Sequence, residues 1–378
     1  MTDQPADSPD PTDLKAQPAS GERVTLKVLA GHLGLSPSAV SMVLNDRPEA
    51  QSMRLETRER IRAAARELGY RPNRLAQSLR QQRSQLIGVL TPHLQSPYGS
   101  GIVAGLEQFL LEKGYAQLTA SHNNDPELMA KHVRNLGSQP VDGLVLVGAP
   151  SLDDPPVPTV RVAGRHPSRS APDVAIDHDQ ASVQALAHLQ ELGHQKIAFF
   201  KGSDENADAF DRWRAIRNGA EALGIEIAGD RVMEMQRLGG TSRAAIEADY
   251  EQGYALGQAL IEQKADFTAL FAFNDLSGVG AMRAFLDAGR RVPEDVSVVG
   301  FDDIYSAQYF RPSLTTLRQP LEAMGRQAGE LMLQRLQGLQ RLQGQGPKED
   351  SPALTATTLL VRAELVVRES TGPAPTVG

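Results

Sequence analysis

The 378-residue chain is 40% apolar, long enough for two or three domains and a sizeable core, which excludes a generally disordered protein. It has no cysteine, so disulfides and thiolate chemistry are excluded. The net charge of -7 is uneven: residues 22–85 hold 12 Lys/Arg against 6 Asp/Glu, a balance of +6, whereas residues 1–21 carry -3 and the remainder -10. A basic block on an acidic body points to a polyanion-binding module attached to something with another task, with chance clustering of solvated charge as the bland alternative.

In chain order, residues 1–21 are rich in Pro, Asp, Ser and Ala, cannot offset the entropy of ordering, and are predicted to be a tail. They lack the basic start and apolar run of a secretory signal, and no stretch approaches the ~20 apolar residues of a membrane span, so a soluble cytoplasmic protein with no membrane partner is expected. Residues 22–70 read as three short helices. "TLKVLAGHL" has Thr25 as its cap and Leu26, Leu29, Ala30 and Leu33 at helical spacing, and Gly34 allows a tight turn. The next segment opens with Ser36 as N-cap and Pro37 at the first helical position. "LETRERIRAAARELGY" puts Ile61, Ala64, Ala65 and Leu68 on one face and stops at Gly69.

Two short helices joined by "GLS", the second entered by Ser-Pro, have the dimensions of a helix-turn-helix unit. In that unit Ala39, Val40, Val43 and Leu44 pack inward and Pro37, Ser38, Ser41, Met42 and Asn45 face outward. A plain structural hairpin is the competing reading of the periodicity, as helix termination and local hydrogen bonding are for Ser41 and Asn45. Residues 71–85, containing "RPNRLAQSLR", read as a polar linker helix with Leu75 and Leu79.

From Leu86 to residue 370, short apolar runs ("LIGVL", "VDGLVLVG", "KIAFFKG", "FTALFAFND", "VSVVGFDD") alternate with amphipathic helices ("AGLEQFLLEKGY", "ASVQALAHLQELGH", "GVGAMRAFLDAG"). Such alternation predicts parallel sheets covered by helices on both faces, and nearly 290 residues of it predict two lobes. The lobes are placed at about 86–177 with 318–350, and about 178–317 with 351–370. "QGLQRLQGQGPKED" reads as an exposed loop before one last strand, "TLLVRAELVVRES", and residues 371–378 as a tail.

These motifs, in this order and nearly this spacing, resemble the LacI/GalR family of bacterial transcription regulators over all but the first two dozen residues and the last few. The resemblance rests on "VTLKVLAGHLGLSPSAVSMVLN", "TRERIRAAARELGYRPNRLAQSLRQQRSQLIGVL", "SPYGSGIVAGLEQFLLEKGY", "HLQELGHQKIAFFKG", "FNDLSGVGAMRAFLDAGRRVPEDVSVVGFDD" and "YFRPSLTTLRQP". It implies an all-α helix-turn-helix head, and an α/β two-lobed core like a periplasmic binding protein, binding a small-molecule effector, most simply a sugar, between its lobes. The implied partner is a near-palindromic double-stranded DNA operator, bound by a homodimer or tetramer, with no cofactor, no metal and no catalytic residue.

By the same resemblance, Thr25 and Ser36 cap helices whose N-termini meet phosphates, and Pro37, Ser38 and Met42 fall where bases are read in the major groove. Ser41 and Asn45 match the family's backbone-facing serine and helix-closing asparagine. Asn73 and Leu79 lie in the hinge that folds when two chains meet on DNA, with Leu79 wedging the minor groove. Two departures matter. Ala39-Val40-Ser41-Met42 stands where Thr-Val-Ser-Arg is common, and Met cannot pair in bidentate fashion with guanine. The loop "DRPEAQSMRLE" is also longer than usual.

In the core, forked donors and acceptors at strand ends are the chemistry that binds vicinal hydroxyls. The resemblance assigns this role to Arg212; Asn274 and Asp302 follow strand ends, and Tyr98 lies in the loop after the first strand. A surface salt bridge or turn cap is the plain alternative for each. Trp213 is expected to pack, and "GSGIVAG" stands too far from the first strand to be a nucleotide loop. An enzyme on the same core remains an alternative, against scattered histidines (His32, His93, His122, His132, His166, His178, His188, His194) and no nucleophile elbow. So does a solute-binding protein, which has no use for residues 22–85.

Overall fold

The computed structural model describes residues 24–70, 83–138, 141–149, 155–163, 173–203, 207–236, 242–344 and 358–375. The chain divides into two compact units, Met1–Ser84 and Gln85–Gly378.

The first unit contains α1 (Leu26–Leu33), α2 (Pro37–Leu44) and α3 (Leu55–Glu67). Gly34 ends α1 in the left-handed conformation, where its N–H reaches the carbonyls of Ala30 and Gly31. Eight buried side chains form one small core: Leu29, Ala30, Val40, Val43, Ala50, Ile61, Ala64 and Ala65. Ala50 comes from the segment between α2 and α3, where a short helical turn over Pro48–Ser52 carries it inward.

The second unit runs β1 (Leu86–Thr91), α4 (Pro97–Glu112), β2 (Ala116–Ser121), α5 (Pro126–Ser138), β3 (Gly143–Val147), β4 (Thr159–Val162), β5 (Asp173–Ile176) and α6 (His178–Glu191). It continues through β6 (Ile197–Lys201), α7 (Ala207–Leu223), β7 (Val232–Glu234), α8 (Ser242–Glu262), β8 (Ala269–Phe271), α9 (Asp275–Asp287) and β9 (Ser297–Asp302). The final elements are β10 (Thr315–Arg318), α10 (Leu321–Gly344), β11 (Thr358–Val361) and β12 (Glu364–Val366). Two six-stranded sheets result, ordered β11-β5-β4-β3-β1-β2 and β12-β10-β9-β8-β6-β7. Every pairing is parallel except β10 with β12. Strands such as β3 and β9 are buried along their whole length because helices cover both faces. The two sheets share one winding order, which reverses at β1/β3 in the first lobe and β6/β8 in the second; open α/β sheets bind ligands beyond the strand ends at such reversals.

The structure corrects three expectations. "TLLVRAELVVRES" is not one strand of the second lobe: Thr358–Val361 pairs with β5 and Glu364–Val366 with β10. Their partner strands span only four residues each, so a single long strand would overrun either sheet, and the chain crosses between lobes at Arg362–Ala363 instead. The stretch read as a Gln/Gly loop begins as helix, because Met332, Leu336 and Leu339 continue the inward face of α10 to Gly344. Tyr98 belongs to the first turn of α4 rather than to a loop. The glycines of "GSGIVAG" have a packing role there: a Cβ at Gly105 would lie 2.0 Å from the Glu322 carbonyl, so only glycine lets α4 and α10 come this close.

Candidate functional sites

In the first unit the predicted residues lie at and around α2. Thr25 Oγ1 accepts from the Val28 N–H at 3.3 Å and Ser36 Oγ from the Ala39 N–H at 3.2 Å, so both cap their helices. Ser36, Pro37, Ser38 and Asn45 are exposed and Ser41 is half-buried, while Val40 and Val43 fasten the helix to α1 and α3. Asn45 closes α2 by donating from Nδ2 to the Ser41 carbonyl at 2.7 Å and to Ser41 Oγ at 3.1 Å. Met42, expected outward, is half-buried against the small core, because its long thioether can lie along the neighbouring apolar side chains. Behind α2, Arg62 pairs with Asp46 at 2.6 Å and Arg60 donates to the Leu33 carbonyl at 3.3 Å. Asn73 and Leu79 lie outside the described residues.

In the second unit the four predicted cleft residues converge. Arg212, on α7, is only 4% exposed; it donates from NH1 to the Phe273 carbonyl at 2.6 Å and from NH2 to Asp208 Oδ2 at 3.0 Å. Its guanidinium lies 3.8 Å from the centroid of Phe301 and 4.9 Å from that of Phe273, an aromatic cradle that suits a weakly hydrated planar cation. Asp208 Oδ1 pairs with His178 Nε2 at 2.9 Å. Burial alone would raise the Asp208 carboxyl, but His178 and Arg212 together hold it well below the usual carboxylate range.

Asp302 ends β9 and is buried; its Oδ1 accepts from Gln319 Nε2 at 2.6 Å. Burial pushes Asp302 up to about 7, against the pull of Arg212. Asn274 opens α9 with a capping box, its Oδ1 accepting from the Ser277 N–H at 2.9 Å, and Nδ2 donates to Asp249 Oδ2 at 2.9 Å. Thus Asn274 both terminates a helix and orients a carboxylate. Tyr98 enters from the first lobe: its hydroxyl is buried, and burial followed by the charges of Asp208 and Asp302 raises it well above its usual range, leaving a neutral donor. Trp213 packs edge-on against Phe199 at 5.9 Å, as expected of a core residue.

Four residues of this cluster escape a reading by motif: Asp208, Asp249, His178 and Gln319. The i, i+4 spacing of Asp208 and Arg212 was a legible signal for one of them. His178 and Gln319 follow β5 and β10, at the chain crossings between lobes, and become neighbours of the cleft only after folding. Among the described residues no group of His, Asp or Glu could hold a metal ion, and no helix is long and apolar enough to cross a membrane.

A family model described as bacterial regulatory proteins, lacI family, matches residues 25–73, and a model of the periplasmic binding protein-like domain matches residues 186–371. The HTH-type transcriptional regulator CelR of Thermobifida fusca is 31% identical over 334 residues, covering 84% of this chain and 93% of CelR. The chain belongs to the LacI family. Another LacI-family relative, the HTH-type transcriptional repressor PurR of Haemophilus influenzae, is 29% identical over 355 residues, covering 92% of this chain and 98% of PurR. Among solved structures, the lac repressor dimer bound to operator and the anti-inducer ONPF superposes with a TM-score of 0.77 at 28% identity, covering 93% of this chain and 100% of that one. A CelR–cellobiose complex gives 0.64 at 28% identity, covering 92% and 100%. In this LacI-family regulator the two expected parts are therefore both present, a helix-turn-helix head and a two-lobed binding-protein-like core.

Proposed function

We propose that this regulator represses transcription by binding a near-palindromic operator as a homodimer, and that a small metabolite, most simply a sugar, sets its affinity from the cleft between the lobes. The observation that carries the reading is the convergence of Tyr98 from one lobe with Arg212, Asn274 and Asp302 from the other. Fixed donors and acceptors around an aromatic surface suit vicinal hydroxyls, and the solved CelR–cellobiose complex supports the choice of a sugar. On the DNA side, the capped N-termini of α1 and α2 meet phosphates, exposed Pro37 and Ser38 reach base edges, and the part of half-buried Met42 left accessible offers an apolar contact to a thymine methyl. Asn73 and Leu79 complete the assignment as the hinge that kinks the minor groove. Because that hinge orders only at one spacing of the two cores, a ligand that alters the spacing alters operator affinity. The transport and enzyme alternatives leave residues 25–73 without a task, and those residues match the lacI model.

The test is selection of duplexes from a random pool by the purified chain, followed by mobility shifts with and without sugars. The expected result is enrichment of an inverted repeat whose binding changes with at least one sugar. Retention of all duplexes alike, with or without sugars, overturns the reading.

A further inference from the structure

Among the described residues, the anionic and cationic groups around Arg212 do not balance. The Arg212 charge is engaged locally, by Asp208 at 3.0 Å, the Phe273 carbonyl at 2.6 Å and the faces of two rings. Asp208 also bonds His178 Nε2, at 2.9 Å. Beyond Asp275, which is fully buried and held by the Thr316 hydroxyl and the Ile304 N–H, two carboxylates remain, Asp249 and Asp302, and their side-chain partners among the described residues are neutral amides, Asn274 Nδ2 at 2.9 Å and Gln319 Nε2 at 2.6 Å. Both stand at one end of the second sheet, since Asn274 follows β8 and Asp302 closes the adjacent β9. Burial raises Asp302 to about 7 against the pull of Arg212, with the charges of Asp208 and Asp249 adding to it, and burial raises Asp249 to about 6.

Independent features mark the same place as one built for a ligand. Arg212, 4% exposed, has no partner for its Nε, and the buried Tyr98 hydroxyl has none either while lying within the fields of Asp208, Asp302 and Arg212. Buried polar atoms of this kind are paired in a completed site.

We infer that the effector carries a cationic nitrogen, as an amino sugar or a polyol amine does, and that this nitrogen seats between Asp249 and Asp302 while its hydroxyls meet Tyr98 and Arg212. This rests on the reading of the cleft as the effector site. An ammonium there supplies the missing counter-charge and forms charge-assisted hydrogen bonds, roughly twice as strong as those of a hydroxyl. A phosphorylated sugar meets two carboxylates and is repelled.

The experiment uses the full chain near neutral pH, with thermal shift and calorimetry on pairs that differ only in amine for hydroxyl. The pairs are D-glucosamine and D-glucose, D-galactosamine and D-galactose, D-mannosamine and D-mannose, and fully deacetylated chitobiose and cellobiose. We expect at least one amine to bind about tenfold or more tightly than its hydroxyl counterpart, and Asp249→Asn and Asp302→Asn each to bring that ratio toward one. Hydroxyl members binding as well as or better than their amines, or no amine binding at all, overturns the inference. A neutral sugar that binds without amine preference and is lost in Arg212→Ala removes only the charge inference and leaves the cleft reading standing. Amine binding that survives Arg212→Ala overturns both.

Discussion

The head and the cleft handle polarity in opposite ways. On α2 the exposed side chains, Pro37 and Ser38, are small and neutral, while eight buried apolar groups, Val40 and Val43 of α2 among them, hold the fold. Around Arg212 in the core the polar side chains are themselves buried, several are charged, and most are bonded to a neighbour. Binding chemistry and folding are therefore separable in the head and fused in the core. A surface serine can change without moving a helix, whereas Arg212 cannot change without taking one partner from Asp208 and the side-chain donor from the Phe273 carbonyl.

The sharpest way to break this contrast is Leu29→Ala. It opens a cavity in a core of eight side chains and should cost about 2–5 kcal/mol, most of what so small a unit can hold. DNA binding should vanish while the thermal transition of the core stays in place; a matching fall of the core transition would show that the two parts do not fold separately. Arg212→Ala should cost the core on the order of 3–5 kcal/mol, since it leaves a buried carboxylate short of a partner, and should abolish effector binding. A variant that melts like the parent would show the network to be ornamental for folding.

Asp302→Asn sharpens the comparison through pH. The folded-state value of about 7 lies above the unfolded value, so ionising Asp302 opposes folding, fully above pH ~7 and not at all below pH ~4. The unliganded variant, which keeps an acceptor for Gln319, should be more stable than the parent at pH ~8 by on the order of 1–3 kcal/mol, with the difference fading toward pH ~4. Taking the difference between the two proteins cancels the opposite trend from His93, His188 and His194, whose burial lowers their values. Denaturant melts across that range give the answer, and a difference that grows toward acid would reverse the assignment. The smallest effect belongs to Ser36→Ala, which removes one cap bond and should cost the head about 1 kcal/mol by thermal melting while leaving effector binding unchanged.

The head was largely legible because its determinants are local. Thr25, Ser36 and Pro37 declare helix starts within a few residues, and Leu29, Val40 and Ile61 announce the inward faces by their spacing. Met42 was misplaced because a side chain at the border of an amphipathic face can turn either way, and only the packing around it decides. In the core, strand and helix alternation read correctly over most of its length, yet the fate of "TLLVRAELVVRES" depended on the lengths of β5 and β10, far away in sequence. Arg212, Asn274 and Asp302 could be singled out from motifs and strand ends. Their partners could not: Asp249, Asp208, His178 and Gln319 are ordinary polar residues until folding brings them together.

What the sequence determined by itself was the list of parts, a basic trio of helices, two of them capped by a side chain, and a repeating strand-helix core, because capping, periodicity and charge act over a few neighbouring residues. Tertiary structure alone decided which charges face each other. Burial and distance set the strength of an ion pair, and both belong to segments separated by as much as two hundred residues.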